Sequence, residues 1–187
     1  MTRKSLILIF LLAFLTGPLG LRAESSRAVD PYELEAAYLV HFLEFVGWPE
    51  SAFADPKSPY VIGVLGEDPF GEKLSRLTSG RLFNGRTVII KKFGGYDPEE
   101  GDDLRACHVL FVAGSEKDRL PIILKILRRA PVLTVSEIEK FPLYGGILAF
   151  DQEGKKIRLY VNPKAAKGAQ LQFSARLLQV CRTYGDD

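Results

Sequence analysis

The chain has 187 residues, of which 47% are hydrophobic and 26% charged, and this balance excludes a disordered polymer and a fibre. Its formal charge of +2 includes Arg3, Lys4 and Arg22, and outside the first 23 residues 22 basic side chains face 23 acidic ones. A nearly neutral domain has no electrostatic attraction to nucleic acid, so we exclude that class of partner.

The first 23 residues have the pattern of a secretory signal peptide. A short cationic start precedes an apolar run, Ser5 to Leu15, which Pro18 ends. The run is shorter than the about 20 apolar residues of a membrane span, so we expect cleavage after Ala23, with an uncleaved anchor as the alternative because Leu21 is bulky. No cysteine lies near the junction to carry a lipid. The sequence therefore predicts export to a bacterial periplasm without membrane insertion after cleavage, a polar tether over residues 24–30, and one domain over residues 31–184.

A helix is predicted from Pro31 to about Gly47, because proline suits the first turn of a helix. Between residues 36 and 48 only His41 and Glu44 are clearly polar, so apolar side chains surround the helix. One face must pack on the domain, and the other lies under a loop or meets a second chain. We predict a partner or dimer interface made of Tyr38, Phe42, Phe45 and Trp48.

Short apolar runs alternate with helical segments along the rest of the chain. Residues 60–65, 107–113 and 132–135 have the continuous apolar character of buried strands, and residues 116–129 and 173–182 are predicted helices. Residues 94–104 form an acidic loop. Residues 147–150 and 157–161 are predicted to form a hairpin. The pattern predicts an α/β fold: an open, mainly parallel sheet with helices on both faces, a three-layer arrangement of the Rossmann or flavodoxin type, with an antiparallel C-terminal hairpin at its edge.

Polar residues follow the predicted strands at the edge where such sheets bind ligands. The candidate ligand-binding residues there are Asp68, Phe70, Gly71, Ser115 and Ser136. A helix-capping role for the two serines is the alternative, and Ser136 with Glu139 matches the S-x-x-E capping box. The Gly66–Gly71 loop lacks the lysine and the glycine spacing of a phosphate loop, and its acidic residues would repel phosphate.

No constellation in the sequence is typical of catalysis or of metal binding. His41 and His108 each lie within an apolar element, where a histidine is usually part of the core, and neither is spaced with other metal ligands. No serine lies in a G-x-S-x-G turn. We therefore predict no catalytic residue, no metal and no cofactor. Cys107 and Cys181 either form a disulfide or remain buried thiols.

Seven phrases in chain order carry a resemblance to one family: residues 37–49 (AYLVHFLEFVGWP), 64–71 (VLGEDPFG), 84–86 (NGR), 107–112 (CHVLFV), 131–136 (PVLTVS), Gly145-Gly146 and Asn162. The chain resembles the YfiR/HmsC-like family of small bacterial periplasmic proteins from about Tyr32 to Arg182. The resemblance implies a non-enzymatic regulator, usually a homodimer, that represses an inner-membrane diguanylate cyclase or related sensor protein. It would bind the periplasmic sensor region of that protein and so lower cyclic di-GMP signalling and biofilm formation.

One departure from the family concerns its cysteines. Members often have a cysteine in the first core strand that can bridge to the cysteine of the CHVLFV phrase, but this chain has Gly63 there. Cys107 is then free or paired with Cys181. The alternative function is a periplasmic small-ligand-binding domain that delivers a metabolite signal to a membrane receptor.

Overall fold

The computed structural model describes residues 30–154 and 156–184, so the predicted signal peptide and nearly all of the predicted tether lie outside the described residues. In this part of the chain the helices are α1 (Pro31–Phe45), α2 (Lys73–Thr78), α3 (Gly101–Arg105), α4 (Leu120–Leu127), α5 (Pro163–Gly168) and α6 (Ala175–Val180). The strands are β1 (Val46–Gly47), β2 (Tyr60–Leu65), β3 (Val88–Phe93), β4 (Val109–Val112), β5 (Leu133–Ser136), β6 (Leu148–Glu153), β7 (Lys156–Val161), β8 (Gln172–Phe173) and β9 (Cys181–Thr183).

The main sheet has the strand order β3-β2-β4-β5-β6-β7-β9. The first five of these strands are parallel, and β6 and β7 form an antiparallel hairpin. Helices cover both faces: α1, α2, α5 and α6 contribute to the core on one face, and α3 and α4 to the core on the other. The predicted α/β class with an open, mainly parallel sheet between helical layers is confirmed.

The hairpin does not lie at the edge of the sheet, which corrects the predicted topology. β9 pairs in parallel with β7, with Cys181 opposite Leu159, and takes the edge position. The predicted helix over residues 173–182 is wrong at both ends, because only Ala175–Val180 is helical. The backbone groups of β7 need hydrogen-bond partners on their open side, and the extended segment after α6 supplies them.

A second, two-stranded sheet ties α1 to the C-terminal part of the chain. Val46 pairs with Phe173 and Gly47 with Gln172 in antiparallel register. The Ser174 amide also donates to the Phe45 carbonyl oxygen at 2.9 Å. These bonds fix the direction in which α1 leaves the sheet.

Three further local predictions need correction. The helix expected over residues 116–129 begins only at Leu120, because a 3-10 segment, Gly114–Arg119, precedes it. The acidic segment expected to be a loop contains α3. The residues directly after Ser136, 137–140, are not helical, so the predicted capping box with Glu139 is wrong.

Candidate functional site

Helix α1 has one face in the core and one at the surface. Phe42 is 1% exposed and lies 6.2 Å from Phe150, ring centre to ring centre, on the sheet side of the helix. It therefore belongs to the core, and its predicted role in an interface is wrong. The rings of Tyr38 and Phe45, four residues before and three after it, are half-buried.

The outward face of α1 carries a stripe of partly exposed side chains. We name it the α1 stripe: Leu34, Tyr38, His41 and Phe45, whose spacing places them on one side of a helix. The His41 ring lies 6.4 Å from that of Phe45, and its Nδ1 lies 3.4 Å from Glu44 Oε2. His41 is exposed, so its predicted place in the core is wrong. The stripe combines apolar contact area with the imidazole of His41.

Trp48 anchors the segment after α1 to the sheet. Its indole Nε1 donates to the His108 carbonyl oxygen at 3.1 Å, and its ring packs edge-on against Tyr60 and His108. His108 Nδ1 accepts from the Val61 amide at 3.1 Å. Burial, together with the nearby Arg86 guanidinium, lowers the pKa of His108 to about 4, so the ring is neutral. Trp48 is half-buried and its polar atom is occupied inside the domain, which leaves only part of its ring for an interface.

Asp68, Phe70 and Gly71 form a compact turn after β2. Asp68 Oδ1 accepts from the Phe70 amide at 2.8 Å, and the Lys92 ammonium lies 2.8 Å from Asp68 Oδ2 and donates to the Gly71 carbonyl oxygen. That hydrogen bond with Asp68 raises the pKa of Lys92. The Phe70 ring is fully buried against Phe111. These groups hold the turn together.

The two serines of the predicted ligand site hold loops in place. Ser115 Oγ accepts from the Glu67 amide at 2.9 Å. Ser136 Oγ is fully buried, donates to the Val112 carbonyl oxygen at 2.7 Å and accepts from the Ile138 amide at 3.0 Å. The structure thus places the five predicted residues together at the carboxyl ends of the strands. The polar groups described above form their hydrogen bonds and ion pairs within the domain. A ligand at this edge stays a prediction.

Sequence reasoning missed a buried carboxyl on α1. Glu35 is 3% exposed, and its Oε2 has no hydrogen-bond partner among the described residues. Burial, with the negative charges of Glu137 and Asp30, raises the pKa of Glu35 to about 8. The available signal was the helical spacing, because Glu35 lies four residues before Leu39 and seven before Phe42 and so shares their inward face.

Sequence reasoning also missed a basic groove at the amino ends of β5 and β6. This open groove has a volume of about 1250 Å³ and a floor that includes Val132, Thr134 and Ile147. Its walls carry five basic side chains and no acidic one, from α3, α4, the turn directly after α4, and α5: Arg105, Lys125, Arg128, Arg129 and Lys164. Arg105 and Lys164 lie far along the sequence from the other three, so no local pattern could have revealed their convergence.

The sequence profile of the YfiR/HmsC-like family matches residues 32–182. The chain belongs to the YfiR/HmsC-like family. This is a family of periplasmic regulators rather than of enzymes.

A conserved domain protein from Vibrio cholerae O1 biovar El Tor strain N16961 is structurally similar, with a TM-score of 0.51 at 13% identity. The similarity covers 82% of this chain and 60% of the Vibrio protein, so the chain spans less than two thirds of that protein's length. This likeness bears on the fold alone. A comparison with curated proteins gives no match.

The cysteines of this YfiR/HmsC-like domain are far apart and free. Cys107 is buried in the α3 and α4 core, while Cys181 packs on the opposite face and four strands away, which is about 19 Å at the spacing of strands in a sheet. A disulfide requires Cα atoms within about 7 Å, so of the two alternatives left open for Cys107 and Cys181 the structure shows free thiols. Burial raises the pKa of Cys107 to about 12 and that of Cys181 to about 11, so both are thiols rather than thiolates.

Within residues 30–154 and 156–184, no group of three or more His, Cys, Asp or Glu side chains is arranged to hold a metal ion. No helix in the same part of the chain is both long and apolar enough to cross a bilayer.

Proposed function

We propose that this chain is a periplasmic repressor of an inner-membrane diguanylate cyclase or a related sensor protein. It binds the periplasmic sensor region of that protein and thereby lowers cyclic di-GMP and biofilm formation. The observation that carries the proposal is membership of the YfiR/HmsC-like family over residues 32–182.

The α1 stripe supports a role in binding another protein. Leu34 and His41 are exposed, and Tyr38 and Phe45 are half-buried, so a partner helix or strand could cover all four. Aromatic side chains with an apolar body are enriched in interface cores. Self-association into a homodimer is the alternative use of the same stripe.

A genetic experiment tests the proposal. Deleting the gene should raise intracellular cyclic di-GMP and biofilm mass, and the intact gene should restore both. A variant with Leu34→Glu and His41→Glu should fail to restore them, because two carboxylates would be desolvated against the partner. Both positions are exposed, so the variant should fold.

Ile122→Glu is the matched control, since Ile122 is an exposed apolar residue of α4 on the other face of the sheet. It should repress as well as the natural chain. An unchanged cyclic di-GMP level after deletion, together with a membrane pull-down that recovers no cyclase or sensor kinase, would refute the proposed function.

A further inference from the structure

The basic groove has charges that the fold itself does not use. Lys125, Arg128, Arg129 and Lys164 form no ion pair with any carboxylate of the described residues. Arg105 alone is paired, at 2.6 Å from Asp102. Like charges around one groove repel each other, so their convergence costs stability unless an anion occupies the groove.

Helix stabilisation accounts for only part of this charge. Cations at the end of α4 interact favourably with the negative end of the helix dipole, which explains Lys125 and Arg128. Lys164 lies in the first turn of α5, where a cation gains nothing from the dipole. Arg105 comes from α3. Because Arg105 lies in the last turn of α3 and is paired with Asp102, the uncompensated positive charge in the groove comes from α4, from the two arginines directly after it and from α5.

The rim of the groove is apolar. Leu143 is 67% exposed and Tyr144 is 53% exposed, and both belong to a 3-10 turn, Phe141–Tyr144, that borders the groove. Large exposed apolar side chains beside unpaired arginines have the composition of protein interfaces, where tyrosine and arginine are enriched.

We infer that the basic groove binds an extended acidic segment, with at least one apolar side chain, of the protein that this chain regulates. The inference rests on the proposed function, because it assigns a surface to that partner.

The dimensions and the rim favour a protein segment over other anions. A volume of about 1250 Å³ exceeds the about 300–1,000 Å³ of pockets for small molecules. A free phosphate or a lipid headgroup would leave Leu143 and Tyr144 uncovered. The acidic segment of a second copy is less suitable, since residues 98–105 are helical rather than extended and Asp102 and Asp103 are already paired with Arg105 and Lys91.

The test is peptide binding by the purified full chain. The probe is a fluorescein-labelled decapeptide of alternating glutamate and leucine. Its binding is measured by fluorescence anisotropy at low and at high salt. A decapeptide of alternating lysine and leucine is the control of opposite charge. We expect the acidic peptide to bind, the lysine peptide not to bind, and added salt to weaken binding because it screens exposed charges.

Matched variants locate the binding. The groove variant, Lys125→Gln, Arg128→Gln and Lys164→Gln, should bind the acidic peptide at least tenfold more weakly. The control variant, Lys117→Gln, Lys156→Gln and Arg182→Gln, removes the same charge from exposed positions outside the groove and should bind within about twofold of the natural chain. Thermal unfolding confirms that both variants fold.

Four outcomes overturn the inference: equal loss in both variants, full displacement of the peptide by inorganic phosphate, groove-dependent binding to phosphatidylglycerol vesicles without peptide binding, or loss of a homodimer in the groove variant alone.

The cyclic di-GMP assay separates this inference from the proposed function. If deletion raises cyclic di-GMP but the groove variant represses fully, the groove inference fails and the proposed function stands. If deletion has no effect while the groove still binds the peptide, the proposed function fails and the groove remains a binding surface.

Discussion

Glu35 is the residue with the largest expected influence on how stability depends on pH. Its carboxyl is buried beside Glu137 and Asp30, and the folded protein holds its proton up to a pKa of about 8, against 4.5 for the ordinary group. A raised pKa of an acid stabilises the fold while the group is protonated, and this contribution is lost as pH rises from about 4.5 to about 8. His108 acts in the opposite sense, because its pKa is lowered from 6.5 to about 4 and its contribution is lost as pH falls through that window.

The two shifts predict a specific stability profile. Between about pH 4.5 and 6.5 the two contributions nearly cancel, and above 6.5 the loss from Glu35 remains, so the unfolding free energy should fall between pH 6.5 and 8. Glu35→Gln should remove that fall and make the protein more stable than the natural chain at pH 8, by about 2–4 kcal/mol. Urea unfolding at a series of pH values measures this. Parallel profiles for the two proteins would show that Glu35 is ionised in the folded state.

Gly63 lies directly against the Cys107 thiol. A Cβ atom at Gly63 would lie 2.8 Å from Cys107 Sγ, close to the separation of those atoms across a disulfide, and 2.8 Å from a Leu110 methyl carbon. A cysteine at position 63, where the family resemblance implies one, would therefore lie within bonding reach of Cys107. A side chain at position 63 that cannot form a disulfide with Cys107 would only crowd the core.

Gly63→Cys should restore the bridge to Cys107. Under oxidising conditions the unfolded, unreduced variant should show one free thiol, that of Cys181, whereas the natural chain has two. Closing this loop should add up to about 4 kcal/mol to the unfolding free energy, less any strain. Gly63→Ser has nearly the same shape without the bond and should be destabilised by crowding. Three free thiols in the oxidised cysteine variant would contradict the geometry.

Helix α1 shows why an element that is apolar on nearly every side need not be an interface on every side. Leu39, Phe42 and Leu43 face the sheet, while Leu34 and His41 face away from it. The sequence identified the excess of apolar residues but not the rotation of the helix about its axis. That rotation is fixed by β1 pairing with β8 and by the Trp48 anchor, both of which depend on distant parts of the chain.

Substitutions on the two faces of α1 should have different consequences. Phe42→Ala should lower the unfolding free energy by about 3–5 kcal/mol, because it leaves a cavity beside Phe150. Leu34→Ala, at a position 36% exposed, should change it by no more than about 0.5 kcal/mol. Chemical denaturation of both variants tests the assignment. Comparable losses would show that Leu34 also packs in the core.

The parts of the whole fold that could be predicted from the sequence are those set by short stretches of neighbouring residues. Apolar runs located β2, β4 and β5, and their alternation with helices gave the parallel sheet. The edge strand β9 was missed because its three residues follow a helix without a turn residue between them, and only the open side of β7 explains its extended form. The basic groove was missed for a related reason: Arg105, Lys125 and Lys164 meet only after the chain has folded.

The position of β9 at the edge has a consequence for assembly. β9 hydrogen-bonds to β7, and Tyr184 just after it packs edge-on against Tyr160 at 5.9 Å. Without β9, the open side of β7 is a row of unpaired backbone groups that can pair with another chain.

Truncation after Val180 should therefore make the protein self-associate and should lower its unfolding free energy by about 1–3 kcal/mol. Sedimentation velocity over a wide range of concentrations measures the association, and the natural chain should not show the same additional species. A truncation that removes only residues 185–187 keeps β9 and should behave as the natural chain does. If both truncated chains have its sedimentation profile and stability, β9 does not protect the edge, and the hairpin is sufficient to end the sheet as the sequence first indicated.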